Sequence, residues 1–156
     1  MKLKTLLLSL LLFITLIQPV NAEEDMYDLG HELATCSGDF SQMGSMFEIL
    51  KQDADAKVVK QKSNGWMIAA VVSFITDKMK PEIAWSSAEG IRDTTVAQWE
   101  ARLGTTNEQL FIKNFNSDND KEFNESFEGL MNKIKGCTFY GELVELSIKM
   151  YRKGIK

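Results

Sequence analysis

Two stretches of this chain carry apolar side chains at alternating steps of three and four residues, which is the period of one face of an α-helix. A β-strand, whose side chains alternate every two residues, cannot produce this pattern. In residues 26–50 the stripe consists of Met26, Leu29, Leu33, Cys36, Phe40, Met43, Phe47 and Leu50. In residues 123–155 it consists of Phe123, Phe127, Leu130, Ile134, Cys137, Gly141, Val144, Ile148, Tyr151 and Ile155. We therefore predict a long amphipathic helix in each stretch, with Gly136 and Gly141 as points at which the second helix could divide in two.

Shorter helices are predicted between these two. One begins at Asp53 or Asp55 and runs to about residue 76, and its apolar part, residues 66–75, should lie centrally because it is apolar nearly all round. Another begins at Pro81 and runs to about residue 103, where Gly104 is a natural stop. A short helix follows from a cap at Thr106, and the last helical stretch is expected to begin at a cap on Ser117 or Asp118. The predicted fold is all-α, a compact bundle of five or six helices.

Cys36 and Cys137 are the only two cysteines, and each lies in phase on the apolar stripe of its helix. If both stripes face one core, the two sulfur atoms point inward and can form a disulfide that joins the first helix to the last. Such a bridge closes a loop of about 100 residues, which the chain-entropy model values at about 4.7 kcal/mol. Two buried free thiols are the alternative interpretation.

Residues 1–22 have the composition of a secretory signal peptide. Lys2 and Lys4 precede an apolar stretch, Pro19 breaks it, and small residues lead to a cleavage point near Ala22. Residues 23–156 then form a single helical domain, located in the periplasm or secreted; a retained membrane anchor is the alternative. The longest later apolar run, residues 66–75, is shorter than the roughly 20 residues that a membrane span requires. We expect no stable span after cleavage.

The charge balance is acidic. The chain has 18 Lys and Arg against 22 Asp and Glu, and a net charge of −4. Removal of residues 1–22 also removes Lys2 and Lys4, which leaves a net charge of −6. This balance argues against nucleic-acid binding, which is typical of basic surfaces. It favours a basic partner protein, because opposite charges steer the encounter.

Few residues suggest catalysis or ligand binding. His31 is the only histidine and lies on the polar side of the first helix, and no cofactor or metal motif is present. We expect no cofactor and no bound metal. Glu89 and Asp93, four residues apart, would share one face of a helix and are a candidate carboxylate pair for a hydrolase. A candidate ligand pocket is formed by Trp66, Trp85 and Trp99.

These features favour a non-catalytic exported protein that acts by binding another protein. The layout of a signal peptide, a short acidic helical body and one bridge resembles exported bacterial inhibitor or immunity proteins, such as those that guard against type VI secretion effectors. The resemblance implies an envelope-acting enzyme as the partner, and it carries no individual residue over to this chain. The alternatives are a small-molecule or lipid carrier of the periplasm, using the tryptophan pocket, and a cell-wall hydrolase, using the carboxylate pair.

Overall fold

The computed structural model describes residues 22–117 and 120–154, so the predicted signal peptide, apart from Ala22, lies outside the described residues. Within them the chain is all-α, as predicted, with no β-strand. The helices are α1 (Ala22–Ile49), α2 (Asp53–Thr76), α3 (Pro81–Leu103), α4 (Glu108–Phe115), α5 (Lys121–Cys137) and α6 (Gly141–Arg152), and a 3-10 turn, Thr138–Tyr140, links the last two. None of the helices in these ranges combines the length and the apolar character needed to cross a membrane.

Most helix ends follow from local signals. Pro81 occupies the first turn of α3, and Gly104 ends that helix with a φ of 68°, a backbone conformation that favours glycine. The predicted caps of two helices were wrong. Asn107 rather than Thr106 caps α4, and Asp120 rather than Ser117 or Asp118 caps α5.

The reason is the reach of a capping side chain. Its oxygen accepts from the backbone N–H about three residues onward. Asn107 accepts from Leu110 N at 3.1 Å, and Asp120 accepts from Phe123 N at 3.0 Å. The cap therefore lies three residues before the first apolar residue of each stripe. Asp118 itself lies outside the described residues.

Helix α1 is the element against which the others are arranged, and α2, α3 and α5 all contact it. Glycines on α1 allow the close approach. A Cβ added at Gly30 would lie 2.6 Å from Phe74 of α2, and one added at Gly38 would lie 2.6 Å from Thr95 of α3. Both distances are shorter than non-bonded carbon atoms can approach. Helices α2 and α3 can therefore pack this closely on α1 only because residues 30 and 38 are glycines.

The centre of the core is α2, whose residues from Trp66 to Phe74 are almost all buried, as predicted for residues 66–75. Trp66 stacks on Phe40 of α1 with ring centroids 5.8 Å apart. Phe111 of α4 belongs to the same core and is fully buried against Phe123 of α5.

The predicted disulfide is confirmed. Cys36 of α1 and Cys137 at the end of α5 are joined by an S–S bond of 2.06 Å, with their Cα atoms 5.7 Å apart. The bridge lies where the predicted last helix divides, since the 3-10 turn and α6 follow immediately. Helix α6 then packs on α2, where Val144 and Ile148 lie beside Gly65.

Candidate functional site

The candidate site consists of two solvent-open hollows on either side of the exposed face of α1, which we call together the α1 cleft. The α3-side hollow has a volume of about 770 Å³ and is lined by Tyr27, His31, Thr35, Ser86, Ser87, Gly90, Ile91, Thr94, Thr95 and Gln98. The α5-side hollow has a volume of about 330 Å³ and is lined by His31, Glu32, Thr35, Cys36, Asp39, Asn132, Lys133, Gly136, Cys137 and Tyr140. His31 and Thr35 border both hollows, so a partner seated on α1 would touch both.

Asp39 lies at the floor of the α5-side hollow and is only 2% exposed. Its Oδ1 accepts a hydrogen bond of 2.6 Å from Trp99 Nε1 of α3. Its Oδ2 lies 4.0 Å from Cys137 Sγ. That sulfur is in the disulfide and carries no hydrogen, so it cannot donate to the carboxylate. One oxygen of a buried carboxylate therefore faces sulfur instead of a hydrogen-bond donor, which is costly for the charged form.

The surroundings of Asp39 decide its protonation. Burial raises the pKa of Asp39 to about 6, although the hydrogen bond from Trp99 and the positive charge of Lys133 act in the opposite direction. The carboxyl is thus mainly ionised at neutral pH and takes up a proton in mildly acidic conditions. A positive group brought into the hollow would favour the ionised form.

Tyr140 and Glu32 close one end of this hollow. The Tyr140 hydroxyl donates to Glu32 Oε2 at 2.5 Å, and this bond raises the pKa of the tyrosine because it holds the phenol proton in place. The contact ties the 3-10 turn to α1. Glu32 and Lys133 are exposed charged side chains that line the same hollow as the buried Asp39.

The α3-side hollow is broader and has small polar walls. The hydroxyls of Thr94 and Thr95 donate to backbone carbonyls of their own helix, at 2.8 and 2.9 Å, so their hydrogens are already engaged. A Cβ placed on Gly90 would meet no atom within 4 Å. The α3-side hollow is therefore the larger of the two and has a smooth surface, whereas the α5-side hollow is lined by charged residues.

The three tryptophans proposed as a pocket lie in separate surroundings. Trp66 is buried against Phe40, and Trp85 meets Tyr151 edge-on at 6.2 Å. Trp99 donates to Asp39. None of the three lines either half of the α1 cleft, and a shared tryptophan pocket stays a prediction without support from these contacts.

Glu89 and Asp93 are both exposed on α3, and Asp93 pairs with the neighbouring Arg92 at 2.8 Å. Neither carboxylate lines the cleft. His31, predicted on the polar side of the first helix, lies at the ridge between the two hollows.

Sequence reasoning missed Asp39, although a signal was present. Asp39 follows Cys36 by three residues, immediately before Phe40, and so it lies on the buried face of a stripe that is otherwise apolar. A carboxylate in that position requires a specific environment. Trp99 supplies part of that environment from another helix.

Among the residues that the structure describes, no three or more His, Cys, Asp or Glu side chains are placed together to hold a metal ion. Comparisons with protein-family models, with curated proteins and with solved structures find no match for this chain. The functional argument therefore depends on the cleft.

Proposed function

We propose that this chain is an exported, non-catalytic protein that acts by binding another protein at the α1 cleft. An inhibitor or immunity protein against an envelope-acting enzyme is the form of that function that its layout favours. The observation that carries the proposal is Asp39, a buried carboxylate at the floor of a solvent-open hollow. One of its oxygens faces a sulfur atom that cannot donate a hydrogen bond.

The chemistry of the hollow favours a positively charged side chain of the partner. Asp39 and Glu32 both line it, and a Lys or Arg side chain entering between them would supply the donors that Asp39 Oδ2 lacks. Charge-assisted hydrogen bonds of this kind are the strong ones, and breaking one at a buried interface typically costs about 2–5 kcal/mol. The acidic balance of the chain outside residues 1–22 would favour the approach of such a partner.

Export is part of the proposal. Disulfides persist mainly in oxidising compartments such as the periplasm and the extracellular space, and the Cys36–Cys137 bridge fits that setting. Mass spectrometry of the protein recovered from the cell envelope tests this point. We expect a chain that begins near Glu23; recovery of the uncleaved chain in the cytoplasm would contradict export.

Gly136 offers a way to test the cleft, because it lines the α5-side hollow and a Cβ there would meet no atom within 4 Å. Gly136→Trp should fill the hollow without disturbing the core, and Gly136→Ala is the matched control. The tagged variants would be crosslinked in the envelope of the organism that encodes the chain, and the recovered partner quantified against the tagged protein. We expect a stoichiometric partner with the wild type and Gly136→Ala, and its loss with Gly136→Trp.

Two results would contradict the proposal. One is the absence of any stoichiometric partner with wild-type protein across several extraction conditions. The other is equal recovery with Gly136→Trp and Gly136→Ala, which would place the partner elsewhere on the surface.

A carrier function is the second candidate, and a different hollow favours it. Between α1, α4 and α5 lies a hollow of about 160 Å³, lined by Met43, Met46, Phe47, Leu50, Gln52, Phe115, Phe127 and Met131. Apolar cavities of about this size can take up one small apolar molecule. Native mass spectrometry of the purified protein tests this candidate, since a carrier should retain a ligand and the mass should fall by the ligand mass on denaturation. A mass equal to that of the bare chain would argue against it.

A further inference from the structure

The end of the described chain has an unusual share of exposed apolar surface. Of the large apolar side chains that are exposed in the described residues, four lie within residues 139–151: Phe139 (88% exposed), Leu146 (54%), Met150 (44%) and Tyr151 (41%). Helix α6 buries only Val144 and Ser147. Its contacts with α2 therefore leave a second apolar face without cover.

That second face is continuous along the helix. Leu143, Leu146 and Met150 are separated by steps of three and four residues, so they lie on one side of α6. Leu143 is partly buried at its edge, and Phe139 precedes it by one helical turn, in the 3-10 turn. We call these four residues the α6 strip.

The charges beside the strip are divided along the helix. Glu142 and Glu145 lie in its first half, and Lys149 and Arg152 lie in its second half. All four are exposed, and within the described residues none of them takes part in an ion pair of this chain. Helix α6 therefore has one acidic and one basic half, both available to a partner.

We propose that the α6 strip is a self-association surface on which a second copy of this chain packs its own α6 in the antiparallel direction. Glu142 and Lys149 are seven residues apart and lie on the same side of the strip. Antiparallel packing places Glu142 opposite Lys149 of the partner subunit, and the two-fold symmetry repeats this pair. Parallel packing would not bring these two residues together, because residues on one side of a strip then face the opposite side of the partner's strip. The charges along α6 are therefore complementary to those of a second α6 that lies antiparallel to it.

The expected association is reversible. A stable interface buries about 800 Å² on each partner, and one helical strip with a neighbouring Phe provides less than that. Burial of Phe139, Leu146 and Met150 supplies the driving force. The two symmetry-related ion pairs are exposed and contribute at most about 1 kcal/mol each, and they set the antiparallel orientation.

Charge reversal provides a test in which each of two variants loses the opposite-charge pairs and a mixture of the two restores them. Glu142→Lys makes both members of each pair positive, and Lys149→Glu makes both negative. In a mixture, a Glu142→Lys subunit and a Lys149→Glu subunit form two opposite-charge pairs. Sedimentation equilibrium of the purified protein over a wide concentration range should show a monomer–dimer equilibrium for the wild type. Each variant alone should weaken it about tenfold or more, and the equimolar mixture should regain it.

A second pair of variants tests the apolar part of the surface. Leu146→Asp should leave the protein monomeric, whereas Val58→Asp, at a residue of similar exposure (52%) on α2, should not change the equilibrium. Circular dichroism would show that both variants keep the helical fold. The proposal is overturned if the wild type stays monomeric at every concentration, if Leu146→Asp associates like the wild type, or if the mixture does not regain the association lost by the single variants.

Discussion

At the scale of single residues, glycines in this bundle have two different roles. Gly38 allows α3 to approach α1, since a Cβ there would lie 2.6 Å from Thr95 Cβ and 2.9 Å from the backbone oxygen of Arg92. Gly90 and Gly136 face open space within their helices. A glycine in a helix costs stability relative to alanine, and the close approach that it permits outweighs that cost at Gly38, as at Gly30, but not at Gly90 or Gly136.

Alanine substitutions should therefore have opposite effects. Gly90→Ala and Gly136→Ala should each raise the free energy of unfolding by about 0.5–1 kcal/mol, because they remove backbone freedom from the unfolded chain. Gly38→Ala should lower it by about 1–3 kcal/mol, because the added carbon forces α3 away. Urea unfolding followed by circular dichroism measures all three. Stabilisation by Gly38→Ala would show that α1 and α3 are not in contact at that point.

Asp39 makes the stability depend on pH. Its pKa is about 6 in the folded protein against 3.8 as the ordinary value, so between these two values the folded state binds more protons than the unfolded state. Stability from this group is greatest below pH 4 and is lost as the pH rises through 6. The difference corresponds to roughly 1–3 kcal/mol.

Asp39→Asn removes this titration and keeps an oxygen that can accept from Trp99 Nε1. We expect the free energy of unfolding of the wild type to fall between pH 4 and pH 7 relative to that of Asp39→Asn. Urea titrations at a series of pH values would measure the difference. A constant difference between the two proteins over this range would mean that Asp39 has its ordinary pKa in the fold.

At the scale of helices, the disulfide joins elements that are distant in the chain. Cys36 and Cys137 are 101 residues apart, and they connect α1 to the junction of α5 and the 3-10 turn. This junction also holds Tyr140, which bonds to Glu32. The bridge thus fixes one wall of the α5-side hollow relative to the other.

Loss of the bridge should reduce stability strongly. In the chain-entropy model a loop of about 100 residues is worth about 4.7 kcal/mol, and measured losses of native disulfides are typically about 2–5 kcal/mol. We expect Cys36→Ala/Cys137→Ala to lower the free energy of unfolding by that amount. Calorimetry at neutral pH would measure the fall in Tm. An unchanged Tm would show that helix packing alone holds α5 against α1.

At the scale of the whole molecule, the α1 cleft and the α6 strip are separate consequences of how the helices within residues 22–152 pack. The cleft exists because α3 and α5 both pack against α1 and leave its exposed face between them. The strip exists because α6 contacts the bundle mainly through α2. One surface is polar with a buried carboxylate, and the other is apolar with divided charges.

The sequence predicted the fold class, two sets of helix bounds and the disulfide, but not the caps or the site residue Asp39. The α-helical class, the bounds of α2 and α3 and the pairing of Cys36 with Cys137 followed from periodicity, Pro81 and Gly104. The caps of α4 and α5 were predicted at the wrong residues. Several residues that could cap a helix are close together before each of them, and only the position at which the helix begins shows that Asn107 and Asp120 are the caps. Asp39, although visible as a carboxylate in an apolar stripe, could not be recognised as a site residue without its partners.

The sequence by itself determined which residues become helical and which face of α1 and of α5 is buried, because these depend on neighbours within a few residues. It also determined that two cysteines lie on buried faces. The tertiary structure alone decided that Trp99 meets Asp39, that both hollows open beside His31 and that one face of α6 stays uncovered. Those outcomes depend on contacts between residues as many as about a hundred positions apart. The spacing of apolar residues along one helix does not specify which other helices pack against it.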